Sequence, residues 1–194
     1  MKKNRIKWLL IGVIMVLLAF IAGCAQPPTK EIEDATKAVA DAKLKEADQY
    51  SQDIFAKAEG ALKKAKDLVV AKNYKEAKTA AEEAINLAKQ AVQAVEANKA
   101  KMKEEAEKIV LDVQSSMNEL KSSVSQAIRK KAQINQQEIQ GAIGKLEVEL
   151  VSAKENLQAG KIRPAFDQLT SLQTEIESHK ETVKTALGAK ADKK

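Results

Sequence analysis

The stretch that decides the fold is YKEAKTAAEEAINLAKQAVQAV, residues 74–95. After Tyr74 opens the run, its apolar positions are Ala77, Ala81, Ala84, Ala88, Ala91 and Val95, spaced alternately by four and three, with Lys and Glu among the residues between. That spacing is the period of one helix face, and a sustained three–four alternation is the seam that packs against another helix. Alanine is the best helix former. A seam of alanines also lets two helices approach to the short end of the usual 8–10 Å separation. The stretch therefore predicts a tight helical hairpin, not a centre filled by large side chains. Beyond residue 23 the aromatics are Tyr50, Phe55, Tyr74 and Phe166, which fits that prediction.

Working outward, the seam continues through Met102, Ala106, Ile109, Val113, Met117, Leu120, Val124 and Ile128 without Gly or Pro. Unbroken from Tyr74 to Lys131, such a helix would be about 85–90 Å long at 1.5 Å per residue. Asn98 and Ser115-Ser116 are places where it could kink. Asn135 followed by Glu138 reads as a helix-capping pair. It opens a helix carrying Ile139, Ile143, Leu146, Leu150, Ala153 and Leu157, weakened in its first turns by Gly141 and Gly144 and ending at Ala159-Gly160. A last helix opens near Pro164, tolerated in a first turn, and carries Phe166, Leu169, Leu172, Ile176, Val183 and Leu187 before a frayed tail from Gly188. In the other direction, Lys72-Asn73 make a turn. Before them lies a helix with Phe55, Ala58, Leu62, Ala65 and Val69 on one face and Ser51 as its N-cap. A first run places Ile32, Ala35, Val39 and Ala42 on one face and stops around Ala47–Tyr50. No strand pattern appears. The predicted class is all-α: elongated antiparallel helical hairpins or three-helix units sharing a long central helix, preceded by a signal-peptide helix.

Shifting the chain by 88 residues superposes the two hairpins. Phe55, Ala58, Leu62, Ala65 and Val69 fall on Ile143, Leu146, Leu150, Ala153 and Leu157. Beyond the turn, Tyr74, Ala77, Ala81 and Ala84 fall on Ile162, Ala165, Leu169 and Leu172. Shared heptad spacing produces part of this correspondence, so descent by duplication stays open.

The chain begins Met1-Lys2-Lys3-Asn4-Arg5-Ile6-Lys7, continues with an apolar core from Trp8, and reaches Ile21-Ala22-Gly23-Cys24. A basic start, a short apolar core, two small residues and a cysteine resemble a bacterial lipoprotein signal peptide with its lipobox. A retained anchor would need about 20 apolar residues, more than Trp8 to Gly23 provides, and the flanks are signal-like. The resemblance implies recognition of Ile21, Ala22 and Gly23 by the signal peptidase and cleavage before Cys24. It also implies diacylglycerol on the Cys24 sulfur and an acyl chain on the new amino terminus. At about 0.8 kcal/mol per buried CH₂, such an anchor is permanent. The expected organisation is a signal peptide over 1–23, a lipidated tether over 24–30 stiffened by Pro27-Pro28, an Ala-rich helical domain over 31–100, a second hairpin unit over 101–188 and a flexible tail over 189–194.

The formal net charge of +6 does not point to nucleic acid. Four of the 33 basic residues (Lys2, Lys3, Arg5, Lys7) and no acid precede the cut, which leaves 29 bases against 27 acids. Lys and Glu alternate as on a solvated helix face, with no basic stripe and no stacking aromatics. Cys24 is the chain's one cysteine, so there is no disulfide framework. The single histidine, His179, lies at the edge of an apolar face and reads as a partly buried seam residue rather than a pH switch or zinc ligand. No phosphate-binding loop, dinucleotide fingerprint or nucleophile elbow is present, and the acid–base neighbours read as surface i,i+4 pairs. The chain is expected not to be an enzyme, and to need no cofactor beyond its own lipid.

The stretch from Lys30 to about Lys101 resembles a domain of unknown function in Gram-negative lipoproteins, in which a lipobox and Pro-rich tether precede three alanine-repeat helices. The matching residues are Glu31-Ile32 with Ala35, Ala47-Asp48-Gln49-Tyr50-Ser51, Ala58, Leu62 and Ala65, then Asn73-Tyr74-Lys75-Glu76-Ala77 with Ala81, Ala84 and Ala88. That family carries no agreed activity. The resemblance, with Ala25 in place of an inner-membrane retention Asp after the cysteine, implies anchoring in the outer membrane facing the periplasm. The expected role is a structural or adaptor lipoprotein of the envelope, with the membrane and unidentified envelope proteins as partners. The alternative is a chaperone-like or peptide-binding module, since Tyr74 to Ala88 also looks like the second helix of a tetratricopeptide repeat. The terminal Lys190-Ala191-Asp192-Lys193-Lys194 resembles, in layout only, a lipoprotein whose last lysine is joined to peptidoglycan, which makes Lys194 a candidate attachment point.

Overall fold

The computed structural model describes residues 26–191 of the chain, with side chains described through residue 188. Its described residues form six helices and no strand: α1 Thr29–Leu44, α2 Ala47–Tyr50, α3 Gln52–Val70, α4 Tyr74–Arg129, α5 Gln136–Gln158 and α6 Ile162–Ala191. The protein is all-α. The signal-peptide helix expected over 1–23 lies outside the described residues.

The turns explain how so few breaks suffice. After α3, the Asn73 amide donates to the Leu68 carbonyl at 2.9 Å and the Lys72 amide to Val69 at 3.0 Å, with Lys72 left-handed at φ 60°. After α4, Ala132 donates to Ala127 at 2.9 Å and Lys131 to Ile128 at 3.0 Å, with Lys131 at φ 50°. After α5, Lys161 donates to Asn156 at 2.9 Å and Gly160 to Leu157 at 3.2 Å, with Gly160 at φ 76°. Each is a Schellman closure, satisfying carbonyls that the end of a helix leaves without partners. The Asn135 side chain caps α5, its Oδ1 accepting from the Glu138 amide at 3.2 Å.

The chain divides into two compact units. One takes in the residues through Lys45 together with Asp53–Ala91, the other Glu46–Gln52 and everything from Val92 onward. The partition inside α4 thus falls earlier than the expected 100/101 boundary, and α4 runs through it without interruption at Asn98 or Ser115-Ser116.

In the first unit α1, α3 and the beginning of α4 pack through small side chains. Ala35, Ala42, Ala58, Ala65, Ala77, Ala81 and Ala84 are wholly buried, and Val39, Phe55 and Leu62 supply the larger volume. The start of α1 lies beside the start of α4, where the Glu31 carboxylate meets Lys78 Nζ at 3.0 Å. It also lies beside the end of α3, where Ile32 and Val69 line one cleft. So α1 and α4 run together and α3 runs against them.

The second unit has a different core. Leu120, Leu146, Leu169, Leu172, Ile176, Val113 and Val183 are its largest fully buried side chains. Short turns at 130–135 and 159–161 reverse the chain, and ion pairs tie the helices together: Lys121 with Glu147 between α4 and α5, and Lys180 with Glu119 at 2.7 Å between α4 and α6. Here α5 is antiparallel to both neighbours.

The 88-residue correspondence is structural. The left-handed residues Lys72 and Gly160 are equivalent under it, and their capping hydrogen bonds match one for one. Ala58, Leu62, Ala65, Ala77, Ala81 and Ala84 are buried, as are their equivalents Leu146, Leu150, Ala153, Ala165, Leu169 and Leu172.

Three local expectations differ from the structure. Helix α1 starts at Thr29, with Pro28 as its N-cap and itself buried, so the second proline packs onto the fold while Pro27 stays exposed. Between α1 and α3 the chain forms the extra short helix α2, entered through Glu46 in a left-handed conformation at φ 62°. Helix α6 extends to Ala191, past Gly188 where fraying was expected.

Candidate functional site

Ile21, Ala22, Gly23 and Cys24, the residues singled out for cleavage and lipidation, lie outside the described residues, as does Lys194. The structure does describe what Cys24 would carry. Cys24 precedes Pro27 by three residues, so the two Cα atoms are separated by at most about 11 Å of extended chain. Beyond Pro27 the fold begins at once: the Thr29 amide donates to the Pro27 carbonyl at 2.8 Å and the Ile32 amide to Pro28 at 3.0 Å. The end of the first unit nearest Cys24 is therefore the candidate site.

Three elements build that end: the start of α1, the end of α3 with its turn, and the start of α4. Pro27, Thr29, Ile32, Lys66 and Val69 line an open cleft of about 230 Å³ with mostly apolar walls. Val69 belongs to the seam of α3 and is half-buried, but Val70, one residue later, is turned outward and is 83% exposed. Lys66 and Lys72 are exposed, and neither has a carboxylate within 4 Å among the described residues. Lys78, by contrast, is engaged. Its hydrogen bond holds the Glu31 carboxyl below the usual carboxylate range, and the same bond raises the Lys78 ammonium.

A second polar cluster lies within the other unit, around α2. Asn98 Nδ2 donates to the Tyr50 carbonyl at 2.8 Å and to Ser51 Oγ at 3.4 Å. Lys99 Nζ reaches Glu46 at 2.6 Å and stands 5.0 Å from the centre of the Tyr50 ring. The Arg163 backbone amide donates to Tyr50 Oη at 3.4 Å, and its Nη1 donates to the Gln49 carbonyl at 3.3 Å. Its Nε contacts both carboxylate oxygens of Asp167 at 3.0 Å. Asp48 Oδ1 is buried without a hydrogen-bond partner among the described residues. This cluster fastens a short segment to two helices: its donors are taken up by backbone carbonyls and ion pairs, which is the arrangement of a structural joint.

His179 sits half-buried on α6 between the buried Ile176 and Val183, where the sequence placed it. Among the described residues no group of three or more His, Cys, Asp or Glu side chains could hold a metal ion. Sequence reasoning missed the cleft and the joint. Val70 was the available signal for the first, an apolar residue one step beyond what the seam of α3 needs. The joint had none, because Arg163 meets Gln49 across 114 positions of chain.

No family model, no curated protein and no solved structure matches this chain.

Proposed function

We propose that the chain is a lipid-anchored, non-enzymatic structural or adaptor protein of the cell envelope. In this reading it is held through acylated Cys24 at the periplasmic face of the outer membrane, alongside the alanine-rich helical lipoproteins it resembles. One observation carries the reading furthest: folded structure begins at Pro28, four residues after Cys24. A lipid on that cysteine would hold a helical unit directly at the membrane surface.

The distribution of exposed apolar side chains favours an adaptor over a groove that takes peptides. A peptide groove calls for one contiguous apolar patch of more than a few hundred Å². Leu44 and Val70 stand at opposite ends of the first unit; Leu111 is on α4, and Val148 and Val151 are neighbours on α5. The remaining surface is Lys and Glu on helix faces, suited to polar contact with envelope partners.

The test is Cys24→Ala in cells, read by fractionation and by in-cell crosslinking. Expected are an uncleaved precursor, no incorporation of labelled fatty acid, and loss of the crosslinked products formed by the wild type. Unchanged processing and unchanged crosslinks in the variant would contradict the reading.

A further inference from the structure

We propose that the Cys24-proximal end of the first unit is a bilayer-docking surface: Val70 and the Pro27–Ile32–Val69 cleft enter the lipid interface while Lys66 and Lys72 meet anionic headgroups. The inference rests on lipidation of Cys24 and adds a defined contact and orientation to it.

Reach supplies the first reason. The interfacial layer on each side of a bilayer's hydrocarbon core is about 5–8 Å deep. A glyceride-bearing Cys24 sits in that layer, and Pro27 cannot be more than about 11 Å of chain away from it. Because Pro28 is buried and α1 starts at Thr29, the chain between Cys24 and the fold is short, and it keeps this end within about 11 Å of the lipid-bearing residue.

Chemistry supplies the second. The end presents an outward valine, a half-buried isoleucine and valine around an open apolar cleft, and the half-exposed ring of Tyr74 beside them in sequence. Small apolar groups, with an aromatic on the first turn of the neighbouring helix, suit an interface in which one side is greasy and the other wet. Lys66 and Lys72, without carboxylate partners among the described residues, lie on the same end, and basic side chains close to an anionic leaflet are attracted to it. At the other end of α1, about 24 Å away at 1.5 Å per residue, Leu44 is equally exposed at 83%. That makes it a built-in control, a large apolar side chain that this geometry keeps in water.

The experiment places a single cysteine, Val70→Cys or Leu44→Cys, in the full lipidated chain and labels it with an environment-sensitive fluorophore. Acylated Cys24 has no free thiol, so labelling stays confined to the new site. The protein is reconstituted into vesicles of phosphatidylethanolamine and phosphatidylglycerol, with quenchers on the acyl chains, and its mass is measured. Expected is a blue shift with several-fold stronger quenching at position 70 than at 44, reduced when Lys66→Glu and Lys72→Glu are combined. An acylated protein whose two sites are equally aqueous overturns the docking surface and leaves the anchor standing. Shielding at position 70 that persists unchanged in micelles without anionic lipid gives the cleft to the protein's own acyl chain and also overturns it. A protein with unmodified Cys24 overturns both readings together.

Discussion

At the scale of single residues, the two hairpin turns carry one backbone geometry with two different amino acids. Lys72 and Gly160 are both left-handed and both close a helix with the same pair of bonds. A side chain in that conformation costs about 1–2 kcal/mol, so Lys72→Gly should raise stability by up to about 1 kcal/mol, whereas Gly160→Ala should lower it by a similar amount. Urea denaturation of the two variants checks both signs. Asn98→Ala should cost about 1–2 kcal/mol by leaving the Tyr50 carbonyl without its side-chain donor. Lys99 is raised, first by its hydrogen bond to Glu46, so its contribution to folding is complete below the ordinary lysine range. That contribution is lost only as pH climbs through the raised value; unfolding curves at neutral and strongly alkaline pH should differ more in the wild type than in Lys99→Met. The turns were legible in the sequence because Lys72-Asn73 and Ala159-Gly160 interrupt clear seams. The roles of Asn98 and Ser51 were not: both were read locally, as a kink and a cap, and both take part in the joint around α2.

At the scale of elements, the two cores respond to opposite perturbations. Ala84 lies in a seam of alanines with no exposed surface, and Leu172 is fully buried among leucines, isoleucine and valines. Ala84→Leu forces helices apart and should cost about 1–3 kcal/mol, while Leu172→Ala leaves a cavity and should cost about 2–5 kcal/mol. Calorimetry of the two variants should show both losses, with Ala84→Ser tolerated much better than Ala84→Leu. Helix identities were readable throughout because a three–four period sustained over many turns has no other interpretation. The alternation alone carried α4 through Asn98 and Ser115-Ser116, where the sequence left a kink open and the structure keeps one unbroken helix. The short α2 escaped notice for a physical reason. Four residues contain barely one turn, and the left-handed Glu46 that starts them carries no glycine to announce it. Pro27-Pro28 likewise reads as a linker by composition, but Pro28 is buried and Pro27 shares a cleft with Lys66 and Val69, which lie far away in sequence.

At the scale of the whole molecule, helical class follows from local pattern, and biological role does not. Circular dichroism of the mature protein should give a helical fraction well above half, as 89% helix among the described residues requires. In the proposed reading, the near balance of 29 bases and 27 acids after residue 23 leaves attachment to a membrane chiefly to lipid on Cys24, with the few basic groups near it as helpers. Everything proposed for this protein turns on that one cysteine. The direct measurement is the intact mass and amino-terminal sequence of the protein purified from cell membranes. The expected result is a chain beginning at Cys24, blocked at its amino terminus and heavier by a diacylglyceryl group and a fatty acyl chain. A chain that keeps Met1, or one that begins elsewhere with an unmodified Cys24, would contradict it.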